Sequence, residues 1–174
     1  MGLSFTVLGD EGKLQGWLTL EWGQRLDYGL EPRLMFENRL DEDDPLWARY
    51  ETTPELVWHF SPRYDFSIGY MNTGIWMPEG SLMEGHEAVV SATVKLPVKD
   101  LLVTSRQRFQ AGVMDGETAA LFRQQTRIVY SGSGLPWRLK PFLADEWFCD
   151  LTGKGLTENR LAGGLLYEFN RAWS

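Results

Sequence analysis

Two stretches of strictly alternating residues constrain the fold of this chain more than any other feature. Between Leu30 and Leu40 every second residue is Leu, Pro, Phe or Asn, and most of the residues between them are charged. The pattern resumes between Tyr50 and Phe60, after an acidic break at 41–45. Strict alternation is typical of a β-strand, because successive side chains point to opposite faces of a sheet. The two stretches therefore predict an antiparallel hairpin with one apolar and one charged face.

Turn signals divide the rest of the chain in the same way and predict ten strands. We place the strands at 3–8, 14–22, 28–40, 48–60, 64–76, 84–96, 101–113, 120–131, 136–150 and 157–170. These strands predict an all-β fold, and their even number fits an antiparallel up-and-down barrel of about ten strands (eight to twelve are possible). The length of 174 residues predicts a single domain over residues 1–174. Apart from the first two, the strands are long enough for a tilted crossing of a membrane.

The connections between these strands fall into two alternating sets. The tight set consists of Gly23–Asp27, Ser61–Arg63, Pro97–Asp100 and Gly132–Leu135. The longer set consists of Asp41–Trp47, Met77–Met83, Met114–Ala119 and Leu151–Leu156. Short turns at one end and longer loops at the other are typical of outer-membrane barrels, in which the short turns are periplasmic. We therefore expect both chain termini on the periplasmic side.

The apolar and charged faces keep the same alternation along the chain, and we interpret the apolar face as the outer, lipid-facing one. Gln107, Gln124 and Asp145 are polar residues that lie on the apolar face. Because Asp145 is followed directly by Glu146, a β-bulge near this point is plausible. Prolines within strands, such as Pro54, each remove one hydrogen-bond donor from the sheet.

The composition is compatible with a membrane barrel and not with a helical membrane protein. Hydrophobic residues make up 43% and the mean hydropathy is -0.29, whereas membrane helices need apolar runs of about 20 residues. The chain is rich in aromatic residues, with 8 Trp, 6 Tyr and 9 Phe. Aromatic residues near strand ends predict an interfacial girdle. This girdle set comprises Trp22, Tyr28, Trp58, Tyr64, Trp76, Tyr130, Trp137 and Trp147.

Charge and cysteine content exclude several classes of function. The net charge of -7 argues against nucleic acid as a partner, and no basic patch stands out. The single cysteine, Cys149, excludes an intrachain disulfide framework and a zinc site built on cysteines. No signal peptide is visible, because Met1 and Gly2 lead directly into the first strand. The protein is then either cytosolic or a mature domain with an added Met, and we favour the second interpretation.

The charged face predicts the lining of the barrel lumen. This lumen set comprises Glu21, Arg33, Glu37, Arg39, Arg49, Glu51, Glu55, Arg106, Arg108, Arg123, Arg127, Lys140, Glu146, Arg160 and Glu168. Isolated buried charges are costly, so these side chains must form ion pairs and hydrogen bonds or stay hydrated. Arg suits this role because its planar guanidinium binds a carboxylate through two hydrogen bonds. The set predicts either a lumen plugged by an ion-pair network or a narrow polar channel that passes small ions.

The sequence offers little support for catalysis. His86, with Glu84 or Asp115, is the best candidate for an acid–base group, and its simpler interpretation is a histidine at the rim of the barrel. No metal-binding motif is present, because the sequence at 84–87 is not HExxH. We therefore predict no enzyme activity, no cofactor and no metal site.

The second half of the chain resembles a known family. The order of motifs runs from Arg106-Gln107-Arg108-Phe109 and Phe122–Arg127 through Asp145-Glu146-Trp147-Phe148 to Glu158–Leu165. It is similar to the uncharacterised bacterial family of domain of unknown function 2490, whose members are predicted small outer-membrane β-barrels. Residues 84–170 carry most of the resemblance. The resemblance implies the fold and a location in the bacterial outer membrane, and it implies no activity.

The sequence thus predicts an outer-membrane β-barrel with an apolar exterior and a charged lumen, of structural or porin-like function, with the lipid bilayer or detergent as its partner. One rival is a soluble ten-stranded barrel in which Arg106, Arg108 and Arg127 bind the carboxylate of a fatty-acid-like ligand. The other rival is an outer-membrane enzyme that acts at the loop rim through His86.

Overall fold

The chain folds into ten antiparallel β-strands. The computed structural model describes residues 2–10, 13–41, 49–77, 80–132, 139–153 and 155–168. The strands are β1 (Gly2–Asp10), β2 (Lys13–Gly23), β3 (Leu30–Asp41), β4 (Arg49–Ser61), β5 (Tyr64–Trp76), β6 (Leu82–Val98), β7 (Leu101–Met114), β8 (Glu117–Tyr130), β9 (Leu139–Asp150) and β10 (Gly155–Glu168). A short 3₁₀ turn at Asp27–Gly29 precedes β3. No helix in these ranges is long and apolar enough to cross a membrane.

The strands form one closed, up-and-down barrel. Each strand pairs antiparallel with its neighbours in sequence, and β1 closes the barrel by pairing with β10, where Phe5 lies opposite Leu165. The turns at 62–63 and 99–100 lie at one end, which we call the basal end. The turns at 115–116 and 151–153 lie at the opposite end, which we call the apical end. The predicted fold and strand count are confirmed.

The large apolar side chains of the barrel lie on its outside. Ile68, Leu143 and Leu161 are 63%, 63% and 64% exposed. The interior holds charged residues instead, and Arg108 and Glu51 are only 1% and 2% exposed. Burying charge while exposing aliphatic residues reverses the usual order of a water-soluble protein. The predicted division into an apolar exterior and a charged lumen is confirmed.

The predicted contrast between tight turns at one end and longer loops at the other has an exception at each end among the described connections. The connection at the apical end between β7 and β8 has only two residues, Asp115 and Gly116, with φ angles of 51° and 80°. Two consecutive residues with positive φ form the two-residue hairpin turn that Asp-Gly favours. At the basal end, residues 24–29 form a longer connection that contains the 3₁₀ turn. Loop length therefore does not orient this barrel.

The expected β-bulge near Asp145 is absent, which is a second correction. Asp145 lies opposite Thr126 in the β8–β9 ladder and opposite Leu161 in the β9–β10 ladder. Neither ladder shifts its register at this residue. Asp145 therefore stays on the outer face. Register shifts occur instead between Leu156 and Glu158 in β10 and between His59 and Ser61 in β4.

Candidate functional site: the charged lumen

A cavity of about 570 Å³ occupies the apical part of the lumen. Its described lining contains three arginines and six carboxylates, which gives a formal charge of -3. Asp115 in the apical turn and Glu117 at the start of β8 contribute to its mouth. Glu51 and Arg123 lie deeper, within strands. The cavity therefore combines an acidic mouth with a floor of mixed charge.

Arg123 is the centre of the interactions below this cavity. Its guanidinium lies 3.1 Å from Glu146 Oε1 and donates to Gln110 Oε1 at 3.3 Å. Gln110 Nε2 in turn donates to Glu87 Oε2 at 3.3 Å. These residues come from β6, β7, β8 and β9, so the interactions join four adjacent strands across the inner face. Each charged group here has a partner, as buried charges require.

Further arginines are partnered by carboxylates and by aromatic rings. Arg49 forms an ion pair with Glu51 at 2.5 Å, and Arg160 pairs with Glu158. The Arg160 guanidinium carbon also lies 4.3 Å from the centre of the Phe148 ring and 5.4 Å from that of Trp17. A guanidinium over an aromatic face is attracted by the negative charge of the π cloud. The aromatic residues of the lumen thus compensate part of its positive charge.

Side chains in the middle of the barrel are almost fully buried. Arg108, Met71, Val89, Thr53 and Thr73 are all less than 2% exposed. Arg108 Nε donates to Ser91 Oγ at 3.4 Å, whereas its Nη2 has no hydrogen-bond partner among the described residues. Within the same residues, the hydroxyls of Thr53 and Thr73 also lack partners. Buried polar atoms of this kind are normally satisfied by ordered water.

The basal part of the lumen is divided between charged and apolar residues. On one side, Arg33 lies 3.2 Å from Glu21, 2.9 Å from Glu31 and 3.6 Å from Glu55. On the other side, Val129, Phe142 and Ala144 form a buried apolar cluster.

A histidine extends the charged side of this basal region. His59 Nδ1 lies 2.8 Å from Asp65 Oδ1, and its Nε2 lies 3.1 Å from Glu31 Oε2. Lys95 forms an ion pair with the same Asp65. The cluster links β3, β4, β5 and β6 close to the basal turns.

The structure places most of the lumen set inside the barrel, and some of its members form ion pairs with one another. Arg33 with Glu21 and Glu55, Arg49 with Glu51, and Arg123 with Glu146 are direct pairs. The remaining members with described side chains also lie on the inner face: Glu37, Arg39, Arg106, Arg108, Arg127, Lys140 and Arg160. The Glu168 side chain lies outside the described residues.

Several residues at this site were not among the predicted ones. Trp17, Phe142 and Phe148 lie inside the lumen, where they contact arginines through their ring faces. Arg127, for example, lies 4.9 Å from the centre of the Phe142 ring. Their signal in the sequence is position: each alternates in step with charged residues, as Phe148 does with Glu146. A search restricted to charged residues overlooks them.

Most of the girdle set lies on the outer face near the strand ends. Trp22, Trp58 and Tyr64 lie close to the basal end, and Tyr28 in the basal 3₁₀ turn is 94% exposed. Trp76 and Trp147 lie toward the apical end, each about half exposed. Tyr130 is partly buried, and Trp137 lies outside the described residues. Phe60 and Phe66 add to the basal group by packing against Trp58.

The catalytic candidate His86 faces outward. Its Nδ1 lies 2.5 Å from Tyr70 Oη and 3.2 Å from Asn72 Nδ2, both on the outer face of β5. None of the hydrogen bonds described for His86 involves Glu84 or Asp115. Across the described residues, no group of three or more His, Cys, Asp or Glu side chains is arranged to hold a metal ion.

The chain is similar to one protein family and to several solved structures. The family model described as "Protein of unknown function (DUF2490)" matches residues 14–174. No curated protein matches the chain. Among solved structures, a KdgM porin matches with a TM-score of 0.52 and 10% identity over 98% of this chain and 100% of that chain. A KdgM porin in complex with disordered oligogalacturonate matches with a TM-score of 0.52, 12% identity and the same coverage. At such identity the likeness concerns the fold.

Proposed function

Because the chain belongs to the DUF2490 family, we propose that it is a bacterial outer-membrane β-barrel whose lumen is plugged by its own side chains. The observation that carries the proposal is the reversed distribution of polarity: aliphatic residues such as Leu143 cover the outside, and Arg108 and Arg123 are buried inside. A closed barrel satisfies its backbone hydrogen bonds without a free edge, as a spanning structure must. The lipid bilayer is then the partner of the outer face.

The outer face also argues against the soluble rival. A soluble ligand-binding barrel needs a polar exterior, whereas Ile68, Val90, Phe109 and Leu165 are between 46% and 63% exposed here. The aromatic residues near both strand ends support a girdle at each membrane interface. We therefore assign the girdle set, as far as it is described, to the contact with the lipid interface.

The contacts inside the barrel support a structural role rather than catalysis. Arg123 and Arg33 each engage carboxylates, so these charged groups hold strands together across the lumen. Arg108 and Met71 close the middle of the barrel below the apical cavity. The lumen set thus acts as a plug, and the protein carries no steady ion current in its resting form.

A narrow pore is the second candidate, and two observations favour it. The hydroxyls of Thr53 and Thr73 and one oxygen of Glu51 are buried without a hydrogen-bond partner in the described part of the chain, which favours water inside the barrel. The solved structures that share the fold are KdgM porins, one of them in complex with oligogalacturonate. The acidic mouth of the apical cavity would make such a pore favour cations over acidic saccharides.

Two measurements on the full chain test the proposal. We expect refolding in detergent micelles to give a heat-modifiable band on a gel, whereas buffer alone gives aggregate; a monomeric folded protein in buffer would contradict the membrane assignment.

In planar bilayers we expect the wild-type barrel to carry no current. The double variant Arg108→Ser with Met71→Ser removes bulk from the closed layer and should show current. Steady current from the wild type would favour the pore over the plug.

A further inference from the structure

The outer face of β7 to β10 carries a continuous polar patch, which lies at mid-height on β7 and β8 and extends toward the apical end on β9 and β10. Six side chains that share this face make up the patch: Ser105, Gln107, Gln124, Asp145, Trp147 and Asn159. Gln107 lies directly opposite Gln124 in the β7–β8 ladder, and Gln124 lies opposite Trp147 in the β8–β9 ladder. The patch therefore crosses four adjacent strands without interruption.

Apolar side chains border the polar patch on both its apical and its basal side. Phe109 and Phe122 pack against each other on the apical side, with ring centres 4.8 Å apart and ring planes tilted by 46°. Ile128 and Leu143 lie on the basal side, 42% and 63% exposed. The patch is therefore not part of a polar rim at either barrel end. In the membrane orientation of the proposed function, on which this inference rests, its two glutamines lie at the depth of the hydrocarbon, and Trp147 lies nearer the apical interface.

The hydrogen bonds inside the patch satisfy most of its groups. Gln107 Nε2 donates to Gln124 Oε1 at 2.9 Å and to Ser105 Oγ at 3.0 Å. Gln124 Nε2 donates to Ser105 Oγ at 2.9 Å. Asp145 accepts from Trp147 Nε1 at 2.8 Å and from Asn159 Nδ2 at 3.0 Å, so both of its oxygens are bonded.

One donor and one acceptor of the two glutamines remain available. Within the described part of the chain, the bonds above leave one N–H of Gln124 without an acceptor and Gln107 Oε1 without a donor. Hydrocarbon offers neither, so lipid alone leaves both groups unsatisfied at a cost in free energy. A protein surface that supplies one amide acceptor and one amide donor at this height would satisfy both.

We propose that this patch is the lateral interface between two copies of this chain in the membrane. A two-fold axis parallel to the membrane normal, between the facing patches of two copies, brings the Gln124 N–H of each copy to the Gln107 Oε1 of the other. Such an isologous contact is self-complementary, because the same surface contributes on both sides. Asp145 needs no cation from the partner, since both its oxygens already accept hydrogen bonds. Phe109 and Ile128 then pack against the second copy around the polar centre.

Energy transfer between labelled copies in lipid vesicles tests the interface. The labels are attached at Asp100→Cys in a basal turn, in a chain whose native cysteine is removed by Cys149→Ser, and insertion is checked by heat-modifiable migration. We expect efficient transfer that falls as lipid is added. Replacing both amides in Gln107→Leu with Gln124→Leu should weaken the dimer about tenfold, the loss expected for two hydrogen bonds within a membrane.

Asn72→Leu is the matched control, because it removes an outward amide from β5 on another part of the barrel wall. It should leave the transfer unchanged. Inserted wild-type protein that stays monomeric at every lipid ratio would overturn the dimer and indicate a different partner or none. Transfer that survives the double glutamine variant would overturn the location of the interface. Failure to insert would overturn the proposed function, and this inference with it.

Discussion

At the scale of single residues, the lumen arginines are partnered both by polar side chains and by aromatic rings. Arg123 uses a carboxylate and an amide, and its guanidinium carbon also lies 4.8 Å from the centre of the Phe148 ring. Arg160 combines Glu158 with the rings of Phe148 and Trp17. A ring compensates positive charge without adding a second buried negative charge, so fewer carboxylates are needed than a purely ionic lumen requires.

The pair between Arg123 and Glu146 gives the first prediction. Glu146→Ala leaves Arg123 buried with Gln110 as its remaining polar partner. We expect the free energy of unfolding to fall by about 3 kcal/mol, because removing one member of a buried ion pair leaves an uncompensated charge. Urea-induced unfolding from lipid vesicles measures it. Glu117→Gln at the exposed apical start of β8 is the control and should change stability by less than about 0.5 kcal/mol. Equal effects of the two substitutions would contradict this description of the lumen.

The outer face gives the second prediction, for which β6 offers a matched pair. Val90 lies in the middle of the strand and Val98 at its basal end, and they are 46% and 52% exposed. We expect Val90→Arg to cost about 2–4 kcal/mol of folding free energy in a bilayer and Val98→Arg about 0–1 kcal/mol, since the cost depends on depth. In a water-exposed wall both changes would be nearly neutral. Equal and small costs in the vesicle unfolding assay would therefore argue against a lipid-facing wall.

At the scale of elements, alternation and turn signals predicted the strands well. β5 runs over Tyr64–Trp76, as predicted, and the ends of β7 and β8 lie within three residues of their expected positions. The connection at 115–116 was misjudged because its acidic surroundings suggested a long loop. The Asp-Gly pair, which favours a tight hairpin turn, was the better signal. The polar residues on the apolar face suggested a bulge near Asp145, whereas side-chain hydrogen bonds satisfy Asp145 in an unbroken register.

The partners inside the lumen could not be read from the sequence. Alternation predicts that Arg160 and Trp17 point inward, but their contact joins β10 and β2, which are not neighbours in the barrel. Such contacts depend on how strongly the barrel staggers its strands, and that stagger is set by all ten pairings together. Neighbouring pairs such as Arg33 opposite Glu55 were easier to anticipate, because one hairpin register decides them.

Close contact between β6 and β7 gives the third prediction. A Cβ atom added at Gly112 would lie 2.7 Å from Glu87 Cα, and the carbonyl of His86 is nearer still. Gly112→Ala should therefore force the two strands apart and cost about 1–3 kcal/mol in vesicle unfolding. Gly163→Ala is the control, because its nearest neighbour is the end of the Leu143 side chain at 3.3 Å. If both alanine variants are equally stable, the β6–β7 packing described above is incorrect.

At the scale of the whole molecule, the fold is defined by where its polar groups lie. The same ten strands with the faces exchanged would give a soluble barrel, so the fold alone does not decide the solvent. The side chains do, since Leu161 and Ile68 face outward while Arg108 is buried. In the proposed function the lumen is the core of the protein, where ion pairs and cation–π contacts take the place of aliphatic packing.

The most direct test of this claim is a scan of spin-label accessibility along positions 88–93 of β6, in a Cys149→Ser chain inserted into vesicles. We predict that labels at Ala88, Val90 and Ala92 collide readily with oxygen dissolved in the bilayer, because these positions face outward. Labels at the inward positions 89, 91 and 93 should be protected from oxygen. Frequent collisions of the outward labels with a water-soluble nickel complex, or no alternation along the strand, would contradict the account.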